Sequence, residues 1–193
     1  MRGFARALAP ALVAAALLTL PAIAAACESR ALGLPQHGRL FCGAQLPAGD
    51  DALVSWDGVR DQSPNRAWRR WGTQKLINTI DLIALDYRER YPIGPRLVVG
   101  DLSRTRGGKL DGHDSHQNGL DVDIYYPRRD GLETSPDRVS LVDRRRAQWL
   151  VNRAARADAQ YVFIGPHVGL RRPRRFVQLL VNHDNHLHLR IRP

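Results

Sequence analysis

Two short segments, residues 120–125 and 186–192, alternate strictly between aliphatic and polar side chains, and they set the tightest limit on the fold. Neighbouring side chains of a β-strand point to opposite faces of its sheet, so each segment predicts a strand with one core face and one polar face. The aliphatic positions are Leu120, Val122, Ile124, Leu187, Leu189 and Ile191. The opposite positions are Asp121, Asp123, Tyr125, His186, His188, Arg190 and Arg192. If the two strands pair, their ionisable faces meet over one cleft.

Two helices are predicted from the spacing of apolar residues. One covers residues 68–87, and Pro92 and Pro95 prevent its continuation. The other covers residues 143–157 and turns Trp149, Leu150 and Ala154 inward.

Short apolar runs predict further strands at residues 97–99 and 161–164, whereas residues 176–181 fit either a helix or a strand. Residues 27–52, punctuated by Gly and Pro, predict an irregular N-terminal arm, and the glycines of residues 103–119 predict a loop. The predicted helices and strands do not alternate regularly as in βαβ units. We therefore expect an α+β fold, with a central antiparallel sheet that carries the metal site and is flanked by helices.

Residues 1–26 have the features of a secretory signal. Arg2 and Arg6 give a positive start, residues 8–20 form an apolar run, and small residues follow up to Ala26. The run is shorter than the roughly 20 apolar residues of a membrane-spanning helix. We expect cleavage after Ala26, export to the periplasm or beyond, and one folded domain over residues 27–193 without a transmembrane segment.

Cys27 and Cys42 are too few cysteines for a disulfide-dense mini-protein or a four-cysteine zinc site. Cleavage after residue 26 would leave Cys27 first in the mature chain. We favour a Cys27–Cys42 disulfide, which an oxidising compartment permits. The alternative is a lipid anchor on Cys27, although bacterial lipid signals usually have a larger residue where this chain has Ala24.

The 193-residue chain carries a formal charge of +10, and nearly all its basic residues are arginines. This charge favours anionic partners through non-specific attraction. Nucleic acid is not among the expected partners, because the chain has no RNP, zinc-finger or helix-turn-helix pattern and is predicted to be exported.

Five of the seven histidines fall in two windows, residues 113–116 and 183–188. Zinc binds imidazole nitrogen and carboxylate oxygen, and catalytic zinc sites use three protein ligands and keep one position open. His116, Asp123 and His188 would form such a set with one zinc ion per chain.

His186 precedes His188 by two residues and shares its strand face, so it can lie beside the metal without being a ligand. Imidazole titrates near neutral pH, which suits it to accept a proton and return it to a leaving amine. Taken alone, Asp121 and Asp123 at alternate positions are more typical of a solvated strand face than of a site. The coincidence of two alternating windows, one presented by a glycine turn, favours the metal site.

The runs at residues 112–123 (GHDSHQNGLDVD) and 183–188 (HDNHLH) resemble the signature of the penicillin-insensitive murein endopeptidases. That family belongs to the superfamily of lysostaphin-type peptidases, D-Ala-D-Ala metallopeptidases and Sonic hedgehog. The resemblance implies zinc ligands at His116, Asp123 and His188, and a catalytic histidine at His186. It further implies that His183 is a second catalytic partner, and that His113 is a secondary metal contact or supports a ligand.

The resemblance also implies a substrate, the D-alanyl–diaminopimelate cross-link of peptidoglycan stem peptides. Because the stems carry carboxylates, Arg104 and Arg106 are candidates to bind one of them. The same zinc site would also serve a D,D-carboxypeptidase or dipeptidase, or an endopeptidase for the L-Ala–D-Glu bond. A non-catalytic zinc-containing module that binds the wall is a further alternative. The sequence predicts no particular oligomeric state.

Overall fold

The computed structural model describes residues 27–193, so the predicted signal segment lies outside the described residues. Within residues 27–193, ten strands form in chain order: β1 Arg30–Leu34, β2 His37–Phe41, β3 Ala44–Gln45, β4 Leu53–Ser55, β5 Trp71–Gly72, β6 Leu97–Val99, β7 Asp121–Tyr125, β8 Ala159–Ile164, β9 Val177–Leu179 and β10 His186–Ile191. Two α-helices accompany them, α1 Gln74–Arg90 and α2 Arg144–Ala154, with 3-10 turns at Ala67–Arg69 and Val139–Leu141.

Six of the strands form the central sheet, in the order β4-β6-β7-β10-β8-β9. The three inner pairings are antiparallel, and the pairings at both edges, β4 with β6 and β8 with β9, are parallel. The α+β class is therefore confirmed, with a mixed sheet in place of a purely antiparallel one. The parallel pair β4–β6 arises because the chain between its strands includes α1 and crosses over, as parallel neighbours require.

The two alternating segments form β7 and β10 and bury their aliphatic faces as predicted. Val122, Ile124, Leu187, Leu189 and Ile191 are fully buried in the main core. The ambiguous segment 176–181 contains a short strand, β9.

Helix α1 begins later than its apolar spacing predicts, at Gln74 instead of residue 68. The Thr73 side chain caps it by accepting a hydrogen bond from the Leu76 N–H, and this satisfies an orphan donor of the first turn. The residues before the cap form a 3-10 turn and β5. One face of α1 packs into the core through Leu76, Ile77, Ile80, Ile83, Ala84 and Tyr87.

Helix α2 begins after Asp143, whose carboxylate accepts from the Arg146 N–H at 3.1 Å, and ends at Ala154. Leu150 and Ala154 are fully buried as predicted. Trp149 is only partly buried and packs edge-on against Tyr87, with ring centroids 5.7 Å apart.

The predicted irregular arm is wrong, because residues 30–41 form the antiparallel hairpin β1–β2. Most side chains of this hairpin are exposed, so it lacks the alternation that reveals a half-buried strand. A disulfide joins Cys27 to Cys42, with Cα atoms 5.9 Å apart. This bond occupies the sulfur that a lipid anchor on Cys27 would need.

Within residues 27–193, neither helix has the length and apolar character needed to span a bilayer.

Replacing Ile80 by Ala should destabilise the protein, because Ile80 is fully buried between α1 and the sheet. We expect the free energy of unfolding to fall by about 2–5 kcal/mol, measured by urea denaturation. Leu82→Ala on the solvent side of the same helix, where the residue is 55% exposed, is the matched control and should change it by less than about 0.5 kcal/mol. Equal losses in both variants would contradict this assignment of the core face.

Candidate metal centre

Antiparallel pairing of β7 with β10 brings the two polar strand faces side by side. The register places His188 opposite Asp123 and His186 opposite Tyr125. Residues 65 positions apart in the chain thus become cross-strand neighbours, as the alternation of the two segments predicts.

The loop before β7 delivers His116 in a left-handed backbone conformation, with φ of 65°. Two hydrogen bonds hold this conformation: the His116 N–H donates to Asp121 Oδ2 at 2.9 Å, and Ser103 Oγ donates to the His116 carbonyl at 2.6 Å. Gly119 ends the loop with φ of 79°, and a Cβ there would lie 2.7 Å from Leu40. Glycine at this position lets the loop close tightly onto the hairpin.

Three ligand atoms converge at the centre of the cleft. His116 Nε2 lies 3.1 Å from His188 Nδ1 and 3.3 Å from Asp123 Oδ1, and His188 Nδ1 lies 3.0 Å from the same oxygen. Ligands around a tetrahedral zinc ion, each about 2.0–2.1 Å from the metal, are roughly 3.3 Å apart. The three predicted ligands therefore have the mutual spacing that zinc requires.

Hydrogen bonds on the far side of each imidazole orient its lone pair toward this centre. His116 Nδ1 donates to the Leu102 carbonyl at 2.7 Å, and His188 Nε2 donates to Asp121 Oδ1 at 3.0 Å. Zinc-binding histidines are usually held by such partners. Two buried imidazole nitrogens that face each other at 3.1 Å need a shared proton or a cation between them. The donor set therefore fits a metal ion.

Asp121 supports both histidines, a role that its sequence pattern does not predict, because the pattern is also typical of a solvated strand face. It is fully buried and binds the His116 N–H, the His188 Nε2–H and, at 2.7 Å, the Arg190 Nε–H. Burial opposes ionisation, but the hydrogen bond from His188 and the nearby positive charges hold the pKa of Asp121 well below its usual range. Nothing in its sequence context distinguishes it from an exposed aspartate.

His113 also reaches the centre. Its Nε2 lies 3.0 Å from Asp123 Oδ2 and 3.5 Å from Asp101 Oδ2, and His113, His116 and Asp123 offer ligand atoms that all lie within 4.8 Å of one another. Asp101 is in turn held by Arg69 through two hydrogen bonds of 2.6 Å. The arrangement allows His113 either to contact a metal or to bind the outer oxygen of Asp123.

His186 and His183 lie beside the three converging ligand atoms. His186 Nε2 is 3.7 Å from Asp123 Oδ1, and its Nδ1 donates to Asn185 Oδ1 at 2.6 Å. The Asn185 amide is itself fixed by donating to Ser135 Oγ at 3.1 Å. Burial lowers the pKa of His186 to about 4, so this imidazole is neutral at pH 7 with its Nε2 lone pair available.

The ring of His183 packs 4.6 Å from that of His186, between centroids. Its Nδ1 donates to the Val181 carbonyl at 2.8 Å, and burial lowers its pKa. His183 therefore offers a second neutral imidazole at the same end of the cleft.

These groups line a cavity of about 600 Å³, within the usual size range for small-ligand sites. The polar floor comes from β7, β10 and the loop at residues 111–116, and the apolar rim includes Val59, Phe163 and Leu180.

Arg104 and Arg106 do not line this cavity. The Arg104 guanidinium stacks on Trp68 at 5.1 Å from the ring centroid, and the Arg106 carbonyl accepts from the Leu40 N–H, because their loop runs along the hairpin. The arginines that line the cavity are Arg69 and Arg190, and both are buried and paired with aspartates.

A protein-family model, penicillin-insensitive murein endopeptidase, matches residues 31–167. The chain belongs to this family. The matched part contains His113, His116 and Asp123, and β10 with His186 and His188 follows it in the chain. A comparison with curated proteins finds no match. The chain is therefore a murein endopeptidase, a hydrolase that acts on peptide bonds in peptidoglycan.

Asp121→Asn should weaken metal binding, and its loss of the buried ion pair with Arg190 should also lower stability. The variant keeps the shape of the side chain but removes the charge that holds His188 and the loop at His116. Loss of such a supporting contact typically costs about 10- to 100-fold in metal affinity, and we expect this rise in the zinc dissociation constant by competition titration. Asp114→Asn, at an exposed position of the same loop, should leave it unchanged. Equal affinities in the two variants would refute the role of Asp121.

Chelator-treated protein should lose stability as the pH rises from 6.5 to 9. Burial alone would lower the pKa of His188, but hydrogen bonds to Asp121 and Asp123 outweigh it and raise this pKa to about 9. A raised histidine pKa stabilises the fold below the unfolded-state value of about 6.5, and the contribution disappears as the pH passes the folded-state value. We expect the melting temperature to fall by several degrees over this window and by less in His188→Gln. The same decrease of melting temperature with pH in both proteins would argue against a protonated His188.

Proposed function

We propose that this protein is a zinc-dependent endopeptidase that cleaves the D-alanyl–diaminopimelate cross-links of murein. The observation that carries the proposal is the convergence of His116 Nε2, His188 Nδ1 and Asp123 Oδ1 within 3.0–3.3 Å of one another. Two neutral imidazoles lie beside these atoms. Family membership supplies the murein substrate, and the chemistry of the donors favours zinc, because imidazole with one carboxylate suits it better than magnesium or calcium.

The metal would be held by His116, Asp123 and His188, one ion per chain, with His113 as a further contact or as a support for Asp123. Zinc in such a ligand set supplies Lewis acidity for hydrolysis of the peptide bond. Asp121 and the Leu102 carbonyl keep the two imidazoles in the tautomers that binding requires.

His186 is suited to transfer the proton during hydrolysis. Its Nδ1–H is committed to Asn185, so Nε2 is the atom that accepts a proton from the attacking water and returns it to the departing amine. Asn185 and Ser135 fix the plane of the ring, so Nε2 stays directed into the cleft. His183, the neighbouring neutral imidazole, is placed to donate or accept a hydrogen bond at the same end of the substrate.

Export to the periplasm or the exterior follows from the proposed substrate. The signal-like residues 1–26 and the Cys27–Cys42 disulfide agree with an oxidising compartment. The net positive charge favours approach to the anionic wall polymer. We assign the whole of residues 27–193 to one catalytic domain.

Purified protein should cleave cross-linked muropeptides, lose the activity to a chelator and regain it with zinc. We expect His188→Ala to lose both metal and turnover, because it removes a ligand. His186→Ala should keep its zinc but lose about 10²- to 10⁴-fold in kcat, because it removes the proton carrier. Metal content is measured by elemental analysis, turnover by chromatography of the products, and His37→Ala on the exposed hairpin is the control that should change neither.

Product masses distinguish the related activities. Release of monomers from a cross-linked dimer supports the endopeptidase, loss of a terminal D-alanine indicates a carboxypeptidase, and separation of L-Ala from D-Glu indicates the other endopeptidase. Retention of full activity after complete metal removal would falsify the zinc mechanism. A wild-type protein that binds zinc and wall but cleaves nothing would identify a non-catalytic binding module.

A further inference from the structure

Tyr125 lines the cleft but has no role in the mechanism described so far. It is the last residue of β7 and shares the polar face with Asp121 and Asp123. Its ring meets that of His186 nearly edge-on, with centroids 6.0 Å apart, and it belongs to the lining of the cavity. The phenol and the proton-carrying imidazole therefore border the same part of the cleft.

The ring of Tyr125 is held in one place by its surroundings. It packs in a small apolar cluster with Val54, Trp56 and Val98, apart from the main core. Two glycines leave room for it: a Cβ on Gly100 would lie 3.0 Å from ring atom Cε2, and a Cβ on Gly58 would lie 2.2 Å from the hydroxyl oxygen. The backbone at Gly58 and Gly100 therefore lies so close to the phenol that a side chain at either position would displace it.

Although Tyr125 is 91% buried, being 9% exposed, its hydroxyl forms no hydrogen bond with any residue of the described chain. The hydroxyl of Tyr126 is shielded from solvent and has no partner within the described residues, whereas the Tyr125 hydroxyl is not among the shielded oxygens and belongs to a residue that lines the cavity. Tyr126, the next residue, lies on the opposite face and is fully buried in the main core. An unpaired phenol at the cleft, rigidly positioned, is what a binding site for an oxygen acceptor requires.

We propose that the Tyr125 hydroxyl donates a hydrogen bond to a peptide oxygen of the substrate, next to the bond that is cleaved. This inference rests on the proposed function and adds a substrate-contacting residue to it. At neutral pH the phenol retains its proton, so it acts as a donor and suits a carbonyl or carboxylate oxygen. Both kinds of oxygen flank the cross-link of murein stem peptides.

The first test compares Tyr125→Phe with Tyr126→Phe, which removes a hydroxyl that is shielded from solvent and lies outside the cavity. We expect kcat/KM on a cross-linked muropeptide dimer to fall about 10- to 100-fold in the first variant and to stay within about twofold of wild type in the second. Calorimetry of the released monomer gives the second readout. A lower kcat with unchanged product affinity identifies the scissile carbonyl as acceptor, and weakened product binding identifies a carboxylate. Zinc content and melting temperature verify that both variants are folded and loaded.

The second test uses Gly58→Ala, whose new methyl group would collide with the Tyr125 hydroxyl. This variant should reproduce the loss seen in Tyr125→Phe. The double variant combines Gly58→Ala with Tyr125→Phe and so lacks the hydroxyl with which the new methyl group would collide. The two losses in kcat/KM should therefore not add.

Equal kcat/KM and equal product affinity in Tyr125→Phe and Tyr126→Phe would overturn the inference, and so would additive losses in the double variant. These results would leave the proposed function intact, because wild-type protein would still cleave the dimer. A wild-type protein that neither cleaves the dimer nor binds the monomer would overturn both.

Discussion

The buried carboxylate of Asp121 is the interaction on which the site depends. It holds the backbone of the loop at His116 and the imidazole of His188 at the same time, and Arg190 compensates its charge. An ionised group without water is tolerated only when its lone pairs are bonded and its charge is paired, and here both conditions are met. One side chain therefore positions two of the proposed metal ligands, which come from different parts of the chain.

The register of the sheet fixes the positions of the ionisable side chains relative to one another. Antiparallel pairing of β7 and β10 sets Asp123 against His188, and a shift by one residue would turn every ionisable group into the core. The parallel pairs at both edges of the sheet do not alter this, since the proposed ligands lie on the two central strands and on the loop that precedes β7.

The central strands and their converging histidines could be predicted from the sequence because a period of two is a local signal, and burial of the aliphatic face fixes the direction of the polar one. The role of Asp121 could not be predicted, because an aspartate on a polar strand face has the same sequence pattern whether its carboxylate contacts water or an imidazole. The hairpin at residues 30–41 escaped prediction because its side chains are mostly exposed. The sequence makes Arg104 a candidate to bind a stem-peptide carboxylate, but it cannot show that the guanidinium stacks on Trp68 and does not line the cavity.

The left-handed backbone at His116 makes the geometry of the cleft depend on contacts between distant parts of the chain. A non-glycine residue at φ of 65° is unfavourable by on the order of 1 kcal/mol, and its stabilising contact to Asp121 belongs to β7, whereas the opposing imidazole arrives 72 residues later. Because His186 and His188 lie on β10, the proposed set of metal-binding and proton-transferring groups is complete only in a chain whose last strand has paired with β7.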